Sequence, residues 1–134
     1  MSLAPFLAAP SVVQLHFLAV LIALVLGAWL LARSKGTPIH RLLGRVWMGV
    51  MVFASLSSFA IPATIVPLVG RFGIIHVLSL LILAFVARAI WCVRTGNIRG
   101  HRIWVKVIYF GGLIVPGVFA AIPGRLISEI LGYG

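Results

Sequence analysis

Four histidines hold most of the chemistry open to this chain, and they fall into two pairs. His16 and His76 lie inside long apolar runs, each 20 residues before a glycine (Gly36 and Gly96) that follows a basic turn. Equal spacing to equivalent turns predicts that the two imidazoles sit at one depth of a helical array. Two imidazoles so placed can act as axial ligands of a haem b, one nitrogen from each side of the iron. They can instead bind a quinone, hydrogen bonding to its carbonyl oxygens and exchanging protons, because imidazole titrates near neutral pH. A metal ion other than haem iron is a poorer fit, since no cysteine is well placed and the only carboxylate is Glu129. The structural alternative puts both histidines among lipid headgroups, bonded to water or backbone. His76, only three residues past Gly73, keeps that reading open.

The second pair, His40-Arg41 and His101-Arg102, stands with Arg45 and Lys106 at the ends of apolar runs. Basic residues there attract anionic lipid headgroups, each contributing about 1 kcal/mol near the surface. Paired guanidinium groups also suit a phosphate or carboxylate. Arg88 lies within the third apolar run. It either snorkels along its own stem to the interface or pairs inside the bundle with a cofactor carboxylate such as a haem propionate. Tyr109 reads as a packed aromatic with a satisfied hydroxyl. Ser55, Ser57 and Ser58 cluster without a carboxylate partner, and serines in such runs usually bond to their own helix backbone. Hydrolytic catalysis is not expected, and whether the chain is an enzyme at all is left open.

The surroundings of these residues define the class. The chain has 134 residues, 63% apolar and 9% charged, against about 25% charged in a soluble domain. One acid faces 11 Lys+Arg, for a net charge of +10. On a soluble protein that excess would suggest nucleic acid. Here the basic residues flank apolar runs, as in the cytoplasmic loops of membrane proteins, and no nucleic-acid partner is expected. The single Cys92 excludes an internal disulfide and a cysteine-based metal site. A cleavable signal peptide is not expected, because no Lys or Arg precedes the first apolar run.

Four transmembrane helices are predicted: Val12 to Ala32, about Leu42 to Ile61, Ile74 to Val93, and about Ile103 to Ile122 with Pro116 inside. At about 1.5 Å per residue each spans roughly 30 Å, one bilayer core. Pro116 with Gly111, Gly112 and Gly117 predicts a kink or close packing in the last. Arg33, Lys35, Arg41, Arg45, Arg94, Arg99, Arg102 and Lys106 lie on one side, and only Arg71 and Arg125 on the other. That imbalance places both basic turns in the cytoplasm and both termini outside, in the bacterial inner membrane with periplasmic ends. Trp29, Trp47, Trp91 and Trp104 are expected to form a cytoplasmic aromatic belt. Residues 124–134 read as a short amphipathic tail on the outer surface.

The chain also repeats. Leu15-His16 matches Ile75-His76, His40-Arg41 matches His101-Arg102, and Ala60-Ile61-Pro62 matches Ala121-Ile122-Pro123. The expected fold is all-α and integral to the membrane, one domain over 1–134, built as two parallel-repeat hairpins at about 12–62 and 72–123. Small residues at Ala19, Ala23 and Gly27 continue the His16 face, allowing close helix approach or room for a flat cofactor.

The run Lys35-Gly36-Thr37-Pro38-Ile39-His40-Arg41-Leu42-Leu43-Gly44-Arg45-Val46-Trp47 resembles the signature of a bacterial membrane-protein family, domain of unknown function 2306 (DUF2306). The segments Gly96-Asn97-Ile98-Arg99-Gly100-His101-Arg102, Tyr109 with Gly111-Gly112, and Pro123-Gly124-Arg125 resemble its later elements. Trp47 stands where the family commonly has tyrosine. The resemblance covers nearly the whole chain and implies a small four-helix membrane protein with histidines at positions 16, 40, 76 and 101. It brings no activity with it.

Two functions of different classes follow. The first is a haem b-binding or quinone-associated electron-transfer module using His16 and His76, with Arg88 as a further cofactor contact. The second is a non-catalytic accessory subunit of a larger respiratory or photosynthetic membrane complex. A transporter is disfavoured, since four helices leave little room for a substrate path.

Overall fold

A computed structural model describes residues 1–33, 36–61, 67–69, 72–121, 123 and 125–132. Four helical spans are long and apolar enough to cross a membrane: Ser11–Ala32, Pro38–Ser58, His76–Arg94 and Ile98–Ala120. The element order is α1 (Ala4–Ala8), α2 (Ser11–Ala32), α3 (Pro38–Ser58), β1 (Pro67–Val69), β2 (Phe72–Gly73), α4 (Ile74–Arg94), α5 (Ile98–Tyr109), a π-helical turn (Phe110–Ile114), α6 (Val115–Ala120) and α7 (Leu126–Leu131). Helix α3 packs against both α2 and α4, and α4 against α5. The last span reaches back to α2 through its π turn, which closes an up-down-up-down bundle.

Both hairpin turns have one construction. Gly36 and Gly96 take positive φ of 79° and 81°, a left-handed conformation that costs a residue with a Cβ. The next residue caps the returning helix: Thr37 accepts from the His40 N–H and Asn97 from the Gly100 N–H. These caps satisfy donors left open at a helix start. They also lengthen the returning helices beyond the sequence expectation, from Leu42 back to Pro38 and from Ile103 back to Ile98. His40, Arg41, His101 and Arg102 therefore stand at the starts of helices, with Arg45 and Lys106 one turn further along. Lys35 lies outside the described residues.

Each span buries one stripe. On α2 it is Ala19, Ala23, Gly27 and Leu30, on α3 Trp47, Met51, Ala54, Ser55 and Ser58. On α4, His76, Ser79, Ile82, Val86, Ala89 and Cys92 face inward. Lipid is as apolar as leucine, so burial alone does not drive these helices together. Close packing of small residues and hydrogen bonds between helices must do so. Ile108, Tyr109 and Leu113 complete the core, and Leu15, Leu18, Leu21, Ile22 and Val25 point outward from α2.

The irregularity expected from Pro116 takes the form of the π turn. Proline lacks an N–H and its ring crowds the carbonyl four residues earlier, here that of Gly112. A turn with i→i+5 bonds takes up that misfit just ahead of the proline.

Three features go beyond the expected layout. Helix α1 was not expected, and Gln14 holds it: its Nε2 donates to the carbonyls of Phe6, Leu7 and Ala9 at 3.0, 3.2 and 3.1 Å. The tail folds as α7 over Leu126–Leu131 and packs against α1, with the Ser2 N–H donating to the Ile130 carbonyl at 2.8 Å. Helices α1 and α7 thus meet at the end of the bundle opposite the basic turns. A short antiparallel strand pair, β1 with β2, precedes α4 at that same end.

Candidate functional site

His16 and His76 meet the same structural feature, the C-terminal end of α3, from two different helices. Each heads the buried stripe of its own helix, since α2 continues inward as Ala19, Ala23 and Gly27, and α4 as Ser79, Ile82 and Val86. Their contacts with Ser57 and Ser58 place them at one depth of the bundle.

His76 is only 3% exposed. Its Nδ1 accepts from the Gly73 N–H at 3.0 Å, at the entry to α4. A nitrogen that accepts carries no hydrogen, so the proton is on Nε2. From there it donates to the carbonyls of Ser58 and Ile61, both at 2.8 Å. Carbonyls at a helix end lack intrahelical donors and need outside partners. Beside it, Ser58 Oγ gives its hydrogen to the Ser55 carbonyl at 2.7 Å. Ser58 Oγ also meets the Ser79 hydroxyl, 2.5 Å away across the α3–α4 contact. The Phe59 ring lies 5.7 Å from the imidazole, centroid to centroid. His76 thus ties the start of α4 to the end of α3 with both ring nitrogens engaged.

His16 is half-buried and differently bonded. Ser57 Oγ donates its one hydrogen to the Ala54 carbonyl at 3.0 Å. Its 2.9 Å contact with His16 Nδ1 then needs the hydrogen on the imidazole. Nδ1 donates and Nε2 keeps its lone pair, the reverse of His76. On this side the ring is fixed at one nitrogen, and the basic nitrogen lies across the ring from Ser57.

The remaining candidates are dispersed. Arg88 is exposed on α4, next to buried Ala89, and points away from the interior. His101 Nδ1 donates to the Ala89 carbonyl at 3.0 Å, which faces it toward its hairpin partner. Arg41, Arg45, Arg102 and Lys106 are exposed at the basic end. His40 is half-buried in the first turn of α3. No group of three His, Cys, Asp or Glu able to hold a metal ion occurs among the described residues.

Comparison with known proteins adds one match. The family described as predicted membrane protein (DUF2306) matches residues 13–130, nearly the whole chain. The chain belongs to this family. None of the curated proteins and none of the solved structures compared with it matches.

Residues that carried the DUF2306 resemblance acquire structural roles. Gly36, Thr37, Gly96 and Asn97 build the two turns. Trp47 and Tyr109, the signature aromatics, clasp α2. Trp47 Nε1 donates to the Ala23 carbonyl at 2.9 Å, and the Tyr109 hydroxyl to the adjacent Leu24 carbonyl at 3.0 Å. They reach that backbone because residue 27 is glycine: a Cβ there would stand 2.6 Å from Tyr109 Cδ2 and 2.7 Å from Trp47 Nε1. Trp47 was expected in an interfacial belt but is 4% exposed near the middle of α3. The longer α3 moves it inward by one turn, and the glycine gap gives its indole N–H a partner. The sequence reading missed this clasp, although Gly27 already stood on the stripe of small residues.

Proposed function

We propose that the chain is a quinone-associated membrane module in which His16 receives the quinone head group and His76 serves the fold. The observation that carries this reading is the different bonding of the two imidazoles, one engaged at both ring nitrogens and the other at Nδ1. His76 donates at Nε2 and accepts at Nδ1, both to backbone. His16 meets Ser57 through Nδ1, and a donor there leaves the Nε2 lone pair available. That nitrogen suits the hydroxyl of a reduced head group, which it would accept as a hydrogen bond and, in step with oxidation elsewhere, as a proton. A histidine in a membrane span is costly unless it serves packing or a function, and these two divide those tasks.

A haem b held by both histidines fits this arrangement poorly. To ligate iron through Nε2, His76 would have to give up its bonds to the Ser58 and Ile61 carbonyls and, with its proton moved to Nδ1, the one from the Gly73 N–H, and a buried polar group left unpaired costs about 1–3 kcal/mol. The exposed Arg88 also lies off the interior face where a propionate would be. In the quinone reading electrons pass to or from a partner, and the chain supplies position and a proton acceptor. The excess of Lys and Arg at the turns orients it with those turns in the cytoplasm and both termini outside.

Photolabelling with an azido-quinone in membranes tests the reading. Label should map to the α2 segment around His16 and fall in His16→Ala. Label spread evenly over all four spans would favour the accessory-subunit alternative. A reduced-minus-oxidised spectrum with sharp b-type haem bands lost in both His16→Ala and His76→Ala would restore the haem reading.

A further inference from the structure

The basic end of the bundle holds a groove that the His16 reading does not use. It lies where the end of α2 meets α5, has a volume of about 320 Å³, and is lined by Leu31, Arg102, Val105 and Lys106. Leu31 and Val105 are partly buried, whereas Arg102 and Lys106 are exposed. Arg102 and Lys106 are four residues apart on α5, so both cations rise from one helix face. The groove therefore combines an apolar floor with two cations on its wall.

The chain cannot neutralise those charges itself. It has 11 Lys+Arg and one acid, and that acid, Glu129, lies on α7 at the opposite end. The nearby Arg33 turns its guanidinium over the Trp29 ring, 5.0 Å from the centroid. The counter-charge must come from outside, at the depth where a bilayer presents phosphates. Below the groove the Leu31 face of α2 continues as Leu24, apolar and partly buried.

We propose that this groove is a binding site for one anionic phospholipid, its phosphate held by Arg102 and Lys106 and an acyl chain lying along the α2–α5 seam. Arginine supplies a planar fork for phosphate oxygens and lysine a movable point charge. The site differs from a diffuse basic surface because a defined apolar floor adjoins the charges. Arg41 and Arg45 provide the comparison: by the repeat they correspond to Arg102 and Lys106, but they do not line this groove. The proposal is independent of any quinone at His16.

Native mass spectrometry of the purified full chain tests it, with phosphatidylglycerol and phosphatidylcholine added in turn. A one-to-one phosphatidylglycerol adduct is expected, with little phosphatidylcholine adduct. The double variant Arg102→Gln/Lys106→Gln should weaken the adduct roughly tenfold or more, from the loss of two near-surface charge contacts. Arg41→Gln/Arg45→Gln, with the same change in net charge, should leave it within about twofold. Both pairs are exposed, and circular dichroism checks that the variants stay helical. Equal losses in the two double variants, or equal binding of the two lipids, would overturn the proposal. So would displacement of the lipid by millimolar inorganic phosphate, which would make the groove a site for the free ion.

Discussion

His76 Nε2 lies 2.8 Å from the carbonyl oxygen of Ser58, and this contact joins the start of α4 to the end of α3. Its counterpart, His16, approaches the preceding residue of the same helix end, Ser57, through its Nδ1. Two histidines equivalent in sequence thus have different chemistry. One closes a helix terminus and the other keeps a basic nitrogen.

This division predicts unequal effects on stability. His76→Ala removes the acceptor of the Gly73 N–H and the side-chain donor to the Ile61 and Ser58 carbonyls, of which Ser58 keeps the Ile61 N–H, and should cost about 2–3 kcal/mol. His16→Ala removes one contact from a half-buried pair and should cost under about 1 kcal/mol. Thermal unfolding in one detergent, followed by circular dichroism, measures both. Equal costs would deny His76 its structural role.

Gly27→Ala should destabilise the bundle by about 1–3 kcal/mol, the usual penalty for overpacking a close contact. The added methyl would stand 2.6 Å from the Tyr109 ring. Gly49→Ala on α3, where a Cβ meets nothing within 4 Å, is the control and should be neutral or slightly stabilising. The same unfolding assay reads both variants.

Trp47→Phe and Tyr109→Phe each delete one donor to an α2 carbonyl while keeping an aromatic ring. The carbonyls retain their helical bonds, so each variant should lose only about 1 kcal/mol. Because both side chains crowd Gly27, the double variant should depart from additivity. A double-mutant cycle measures the departure, and strict additivity would mean that the two donors act separately.

The proposed orientation is checked by thiol labelling in intact cells. In a Cys92→Ser background, Ser2→Cys should react with an impermeant maleimide from outside, whereas Thr95→Cys should react only after lysis. Both positions are exposed. The reverse pattern would invert the chain and move the proposed quinone end to the cytoplasm.

Much of the architecture was legible because apolar runs of one bilayer length between basic turns have few other solutions. The shared depth of His16 and His76 followed from equal spacing to Gly36 and Gly96. Helix starts were less legible: basic residues hid the first turns at Pro38 and Ile98, whose caps depend on Thr37 and Asn97. Helix α1 escaped notice because its carbonyls are satisfied by Gln14, a residue that reads only as an interruption of an apolar run. The protonation of the two histidines was not readable at all. It depends on where Ser57 and Gly73 send their hydrogens, and no spacing rule conveys that. Trp47 misled for a related reason, since a tryptophan near a basic turn resembles an interfacial anchor until Gly27 opens a backbone partner for it.

The most direct test of the central claim is the quinone content of the protein purified in mild detergent, extracted and quantified per chain. Wild type and His76→Asn, provided it stays folded, should retain quinone at similar levels. His16→Ala should lose it about fivefold or more, the loss expected for one hydrogen bond of about 1 kcal/mol. Equal quinone in wild type and His16→Ala, with the bundle intact, would contradict the claim that His16 receives the head group.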